Sequence, residues 1–127
     1  MFKVIEKVSN LNEKEINIIV SEHYKNQRSV RNEVIEMIGH GNICGVFSVD
    51  RGHQNGKEYH IITSTGIIFI ENEESKKLIT ALIARPQQIQ RYYVDLYGSC
   101  SRMSKAVQNA IYAAEINYQH HLCMIEE

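Results

Sequence analysis

Arg85, Gln87, Gln88, Arg91, Tyr92 and Tyr93 crowd around Pro86, the only proline of the chain. An arginine fork grips phosphate or carboxylate through paired N–H groups, an aromatic ring stacks on a base, and a glutamine amide reads base edges. Together these are the parts of a nucleotide pocket. Pro86 adds a position to the chemistry. Proline lacks an N–H and has its φ fixed, so it suits the first turn of a helix, and Arg85 would then stand at the mouth of that helix. The unpaired N–H groups and the positive dipole end of such a mouth attract anions. The pattern implies binding of a phosphate-rich ligand and names no reaction. The plainer reading of the same residues pairs Arg91 with Asp95 four positions on, puts Tyr93 in the core and lets Arg85 extend from a strand end into water.

Other residues could join such a site. Arg28 and Arg31 flank Ser29, a helix cap, and could supply a second anion grip across a subunit boundary. Arg102 is expected just inside the last helix, where a cation opposes the dipole unless something negative lies nearby. The expected ligand-binding set is therefore Arg85, Arg91, Tyr92, Gln88, Arg28 and Arg102. Histidines offer an alternative chemistry. His40, His53 and His60 lie before, in and after a hairpin loop, and a histidine with an arginine and a tyrosine can move protons and steady a phosphate as small metal-independent ribonucleases do. Their spacing does not gather them into one cleft. His120, His121 and Cys123 supply at most two ligands on one helix face, so no metal is expected. No GxGxxG, P-loop, HExxH or GxSxG occurs, and neither a cofactor nor a catalytic residue is assigned.

The elements that must hold these residues can be read from periodicity. The segment from Phe2 to Val8 fits a strand or an irregular lead-in. Asn12 with Glu15 resembles a capping box, and Ile16, Ile19, Val20, His23 and Tyr24 recur at helical spacing. Ser29 can cap a second helix with a stripe of Val30, Val34, Met37 and Ile38, ended by Gly39 and Gly41. The β-branched run from Ile43 to Val49 should pair as a hairpin with EYHIIT across the polar loop DRGHQNGK. Ser64-Thr65-Gly66 is the next turn. Ile67 to Ile70 is unbroken apolar, as a strand covered on both faces would be, and Glu71 to Ser75 reads as a charged loop before KKLITALIA.

A helix from Pro86 to Tyr97 follows, with Ile89, Tyr93, Leu96 and Tyr97 inward and Gly98 closing it. Ser101 is expected to cap the last helix, which carries Met103, Val107, Ala110, Ile111, Ala114, Tyr118, Leu122 and Ile125 at core spacing. A second stripe of Tyr112, Ile116 and Cys123 leaves apolar surface that one domain of this size seldom covers, which predicts a homo-oligomer through this helix.

Composition narrows the classes. The 127 residues suit one domain, 1–127, and 43% apolar with 23% charged residues is the usage of an ordinary globular chain. A formal charge of −1 argues against a coat for extended nucleic acid or a polybasic membrane binder. No stretch approaches the ~20 apolar residues of a membrane span, and the first twenty positions carry Lys3, Glu6, Lys7, Glu13, Lys14 and Glu15 rather than a signal-peptide core, so a cytoplasmic address is expected. The three cysteines are far apart with no CxxC, which favours free, buried thiols.

The expected architecture is thus α+β: N-terminal helices, an antiparallel β-meander of four or more strands, and two C-terminal helices on the sheet and at an oligomer interface. That layout, with HIITSTGIIFI and KLITALIARP in the meander and RPQQIQRYYVDLYG and SKAVQNAIYAAEINYQHHL in the closing helices, resembles the phage anti-Thoeris sponge family. The resemblance implies a non-enzymatic anti-defence protein, acting in a host cytoplasm, that sequesters a cyclic ADP-ribose isomer or a cyclic oligonucleotide. It carries over no site residues. NGKEYHIIT…GIIFIENEESKKLITAL is also similar to the barnase–EndoU–colicin–RelE-like nucleases, which implies a small metal-independent ribonuclease as the alternative. The long apolar last helix departs from that group.

Overall fold

The structure, a computed structural model, describes residues 3–8, 35–39, 41–50, 52, 56–75 and 78–126. The expected first helix, the Ser29 cap with Val30 and Val34, and Arg28, Arg31, His40 and His53 lie outside the described residues.

Five strands form one antiparallel sheet in the order of the chain: β1 (Lys3–Lys7), β2 (Ile43–Asp50), β3 (Lys57–Thr63), β4 (Ile67–Asn72) and β5 (Leu78–Ile83). The segment left open at the start of the chain is a strand. It pairs with β2, with a register shift between Val4 and Glu6. The β2–β3 hairpin forms as expected, pairing Phe47 with His60 and Val46 with Ile61. The run at Ile67 is buried on both faces as its unbroken apolar sequence requires, but β4 continues two residues further. Glu71 belongs to that strand, facing Tyr59 across the ladder, and is fully buried rather than part of a charged loop.

Two helices follow the meander, α1 (Pro86–Tyr97) and α2 (Lys105–Glu126). The bounds of α1 are those the sequence implies. Arg85 is the N-cap, Pro86 opens the helix, and Gly98 closes it at φ 79°, in the left-handed region where a residue with a Cβ is strained. The start of α2 corrects the sequence reading. Ser104, not Ser101, is the cap, its Oγ accepting the Val107 N–H at 3.2 Å, so Arg102 and Met103 precede the helix.

Alternation along the strands divides the core into two layers. On the face under the helices, Val4, Phe47, Val49, Ile62, Ile68 and Ile70 meet Ile89, Tyr92 and Tyr93 of α1 and Val107, Ala110 and Ala114 of α2. On the other face Val46, Ile61, Ile67, Phe69, Ala81 and Ile83 pack with Ile35. Residues 35–38 are helical, and the Gly39 N–H returns to Ile35 O at 2.8 Å. In this short piece the buried residue is Ile35, while Met37 of the expected stripe is 61% exposed.

α2 reaches both layers because it crosses the β3–β4 turn. Gly66 there has φ 84°, and a Cβ on it would lie 2.4–2.7 Å from the backbone and Cβ of Ala114, so only glycine lets the helix come this close. One turn on, the Asn117 side-chain amide donates to Thr65 O at 2.9 Å. Tyr118 then packs against the second layer. Cys44 and Cys100 are free and half-buried as expected, whereas the free Cys123 is exposed. Among the described residues, no helix is long and apolar enough to cross a membrane.

Candidate functional site

The first turn of α1 is built by local chemistry. The Gln88 Oε1 accepts the Arg85 N–H at 2.7 Å, and the Gln88 N–H donates to Arg85 O at 3.0 Å. This is the reach-back half of a capping box. The Arg85 guanidinium, a donor only, takes no part in it. Gln88 therefore works in the cap, which leaves its NH₂ as the group it could offer a ligand. Pro86 has no N–H, and among the described residues nothing accepts the N–H of Gln87. Arg85 itself is exposed, with its guanidinium carbon 5.9 Å from the centre of the Tyr118 ring. The helix mouth thus presents one backbone donor and one cation backed by an aromatic face.

The other described arginines, Arg91 and Arg102, do not converge on this mouth within one chain. Arg91 is exposed and its Nε lies 3.6 Å from Asp95 Oδ2, the pairing the plainer sequence reading foresaw. Six residues of helix also turn it about 120° away from Arg85. Arg102 sits beyond the far end of α1, 5.1 Å from the centre of the Tyr97 ring. The twelve residues of α1 span about 18 Å, so Arg85 and Arg102 serve different ends of the helix.

Tyr92 corrects the sequence reading most clearly. It was expected to stack on a ligand base, but it is only 4% exposed and its ring stacks on Phe47, centroids 5.3 Å apart at 19°. Its hydroxyl lies 2.6 Å from Nδ1 of His60, whose Nε2 lies 3.1 Å from Glu58 Oε1. An ionised carboxylate can only accept, so Nε2 carries a proton, and in the neutral imidazole Nδ1 accepts the Tyr92 O–H. Glu58 and His60, two apart on β3, share the face toward α1, which is why this chain of groups can form. His60 is fully buried. Both ring nitrogens are engaged, and its imidazole is closed to an RNA phosphate.

Beside Tyr92, Tyr93 is equally buried and differently served. No partner meets its hydroxyl, and burial first, then Tyr97 and Cys44, push its pKa up to about 12. On the opposite face of the sheet, Ser48 Oγ donates to Glu73 Oε2 at 2.9 Å, and Tyr59 is held above its ordinary pKa by burial and then by Glu73, Glu71 and Glu6. Burial likewise raises the Cys44 thiol, which makes it a poor nucleophile.

Sequence reasoning missed the Glu58–His60–Tyr92 chain. A signal was present in the i, i+2 spacing of Glu58 and His60 on an apolar strand, and in the i, i+3 step from Ile89 to Tyr92. Among the described residues no group of three or more His, Cys, Asp or Glu is placed to hold a metal ion. No protein-family model, curated protein or solved structure matches the chain.

Proposed function

We propose that this protein binds a small phosphate-bearing nucleotide and holds it without turnover, as an oligomer that sequesters a cyclic signalling nucleotide such as a cyclic ADP-ribose isomer. The observation that carries this reading is the mouth of α1, where an exposed Arg85 guanidinium over Tyr118 stands beside the unclaimed Gln87 N–H. A phosphate there would receive a charge-assisted bond from Arg85 and a backbone bond from Gln87, with the dipole of α1 behind them. Each charged hydrogen bond offers roughly 1.5–3 kcal/mol before ordering costs. Gln88 borders the mouth, while Arg91, turned toward Asp95, and Arg102 or Arg28 would contribute only from a neighbouring subunit.

With Tyr92 in the core, Tyr118 takes over as the aromatic of this reading. It is half-buried on α2, against Arg85. The ribonuclease alternative loses His60 to the buried chain with Glu58 and Tyr92, and nothing in the described geometry favours it.

The test is a panel of cyclic and linear adenine nucleotides, including cyclic ADP-ribose isomers, read by thermal shift with mass spectrometry of the recovered nucleotide. A shift of several degrees with the nucleotide recovered intact supports sequestration. No shift with any member, or a recovered product of altered mass, overturns it.

A further inference from the structure

α2 has a second seam. Lys105, Asn109, Tyr112, Ile116, Gln119 and Cys123 follow one another in steps of four, three, four, three and four, and all six are exposed. Tyr112 is 68% and Ile116 70% exposed, among the most exposed large apolar side chains described. The face that packs on the sheet is a different one, through Val107, Ala110 and Ala114. Alternating steps of three and four are the spacing at which one helix lies along another.

The order of residues along this seam identifies the occupant. Reading inward from either end gives a polar or thiol residue, then an amide, then a large apolar residue. Such a sequence is complementary to itself when reversed, which is what a two-fold axis demands of an isologous contact. Charge points the same way. The helix is preceded by Arg102 and begins with Lys105, so a reversed copy brings these cations to the negative C-terminal end of the partner's helix dipole and sets the two dipoles head to tail. A parallel copy would stack like charge on like.

We infer that two copies of this chain pair along this face of α2, antiparallel, with Tyr112 of each against the partner subunit's Ile116 and Asn109 against the partner subunit's Gln119. Two Tyr–Ile contacts form the dry centre, amides flank it, and Lys105 meets the partner subunit's Cys123. The inference stands apart from nucleotide binding, and its test contains no nucleotide.

The seam from Lys105 to Cys123 is about 27 Å long, which is short for an interface and implies a dimer that dissociates in the micromolar range. Sedimentation of the purified chain across three decades of concentration should show twice the monomer mass at the upper end. Ile116→Glu should shift the midpoint at least tenfold while leaving the melting temperature of the dilute protein unchanged, because the position is exposed. Orientation is read by mild oxidation. Lys105→Cys should give a cross-link to the partner subunit's Cys123, identified by peptide mass, and the unaltered chain should give none, since its two Cys123 residues would lie about 27 Å apart, far beyond disulfide reach. A monomer at every concentration, an unchanged midpoint for Ile116→Glu, or a Cys123–Cys123 cross-link in the unaltered chain would each overturn the inference.

Discussion

The two ends of the chemistry in this protein sit within one helix and are treated oppositely. On the inner face of α1, the buried Tyr92 binds a fully buried histidine that binds a partly buried carboxylate. At its outer ends, Arg85 and Arg102 lie over the rings of Tyr118 and Tyr97 and face water. Both arrangements join a tyrosine to a titratable or charged group. In the buried one every lone pair and proton of the imidazole is taken, so the group best able to move protons is spent on joining α1 to the sheet. In the exposed one the donors remain available, and a guanidinium holds its charge at any physiological pH. The difference teaches that a residue suited to catalysis and a residue able to reach a ligand are separate properties, and here they fall on different residues.

Four substitutions sharpen this contrast, from the largest expected loss of stability to the smallest. Gly66→Ala strikes the contact that seats α2 and, with it, the Tyr118 platform under Arg85. A Cβ at 2.4–2.7 Å from Ala114 on a backbone at φ 84° should cost about 3–5 kcal/mol in urea denaturation. A loss below about 1 kcal/mol would mean that α2 does not rest on this turn as described.

Tyr92→Phe keeps the stacking on Phe47 but strips His60 of its donor, leaving a buried nitrogen without its partner. The expected loss is about 1–3 kcal/mol. The neighbouring Tyr93→Phe removes a hydroxyl that had no partner to lose, so stability should stay level or rise by up to about 1 kcal/mol. Equal losses for the two would erase the distinction between them.

Tyr93 also sets a pH dependence. Its folded pKa, at about 12, lies above the ordinary value of 10, so the folded state keeps a proton that the unfolded state releases. Its contribution is complete below pH 10 and is lost as pH rises toward 12. Tyr59 and Cys44, both raised, act with the same sign. Stability measured from pH 8 to 11.5 should therefore fall at the alkaline end, and fall less steeply in Tyr93→Phe; identical slopes would argue against the burial of that hydroxyl.

Arg85→Ala should weaken the fold only slightly, by a few degrees of melting temperature at most, because the side chain is exposed and an exposed cation–π contact is worth about 0.5–1 kcal/mol. Nucleotide binding, by contrast, should disappear. Binding that survives Arg85→Ala would move the site away from the mouth of α1.

Which parts of this were legible in advance follows from how far each signal reaches along the chain. The bounds of α1 were readable because Pro86 and Gly98 act on their own backbone and their nearest neighbours. The strands were readable because runs such as IIFI suit only a surface buried on both sides. Cap choice was less secure, since Ser101 and Ser104 are equally good caps and only the path of the chain from Gly98 to the sheet decides between them. The meeting of Tyr92 with His60 was missed for one reason. Each was weighed as a polar residue on its own element, whereas their meeting, thirty-two positions apart, is made by α1 folding back over β3.

By itself, then, the amino-acid sequence determined the α+β class, the meander, the place of α1 and the presence of an arginine at its mouth, because propensity, periodicity and capping act over a few residues. Only the tertiary structure decided that Glu58, His60 and Tyr92 form one buried chain, that Tyr118 stands behind Arg85, and that Gly66 must admit α2. Those facts depend on which surfaces meet when the helices close over the sheet, and the free energy of that closure is shared by residues far apart in the chain.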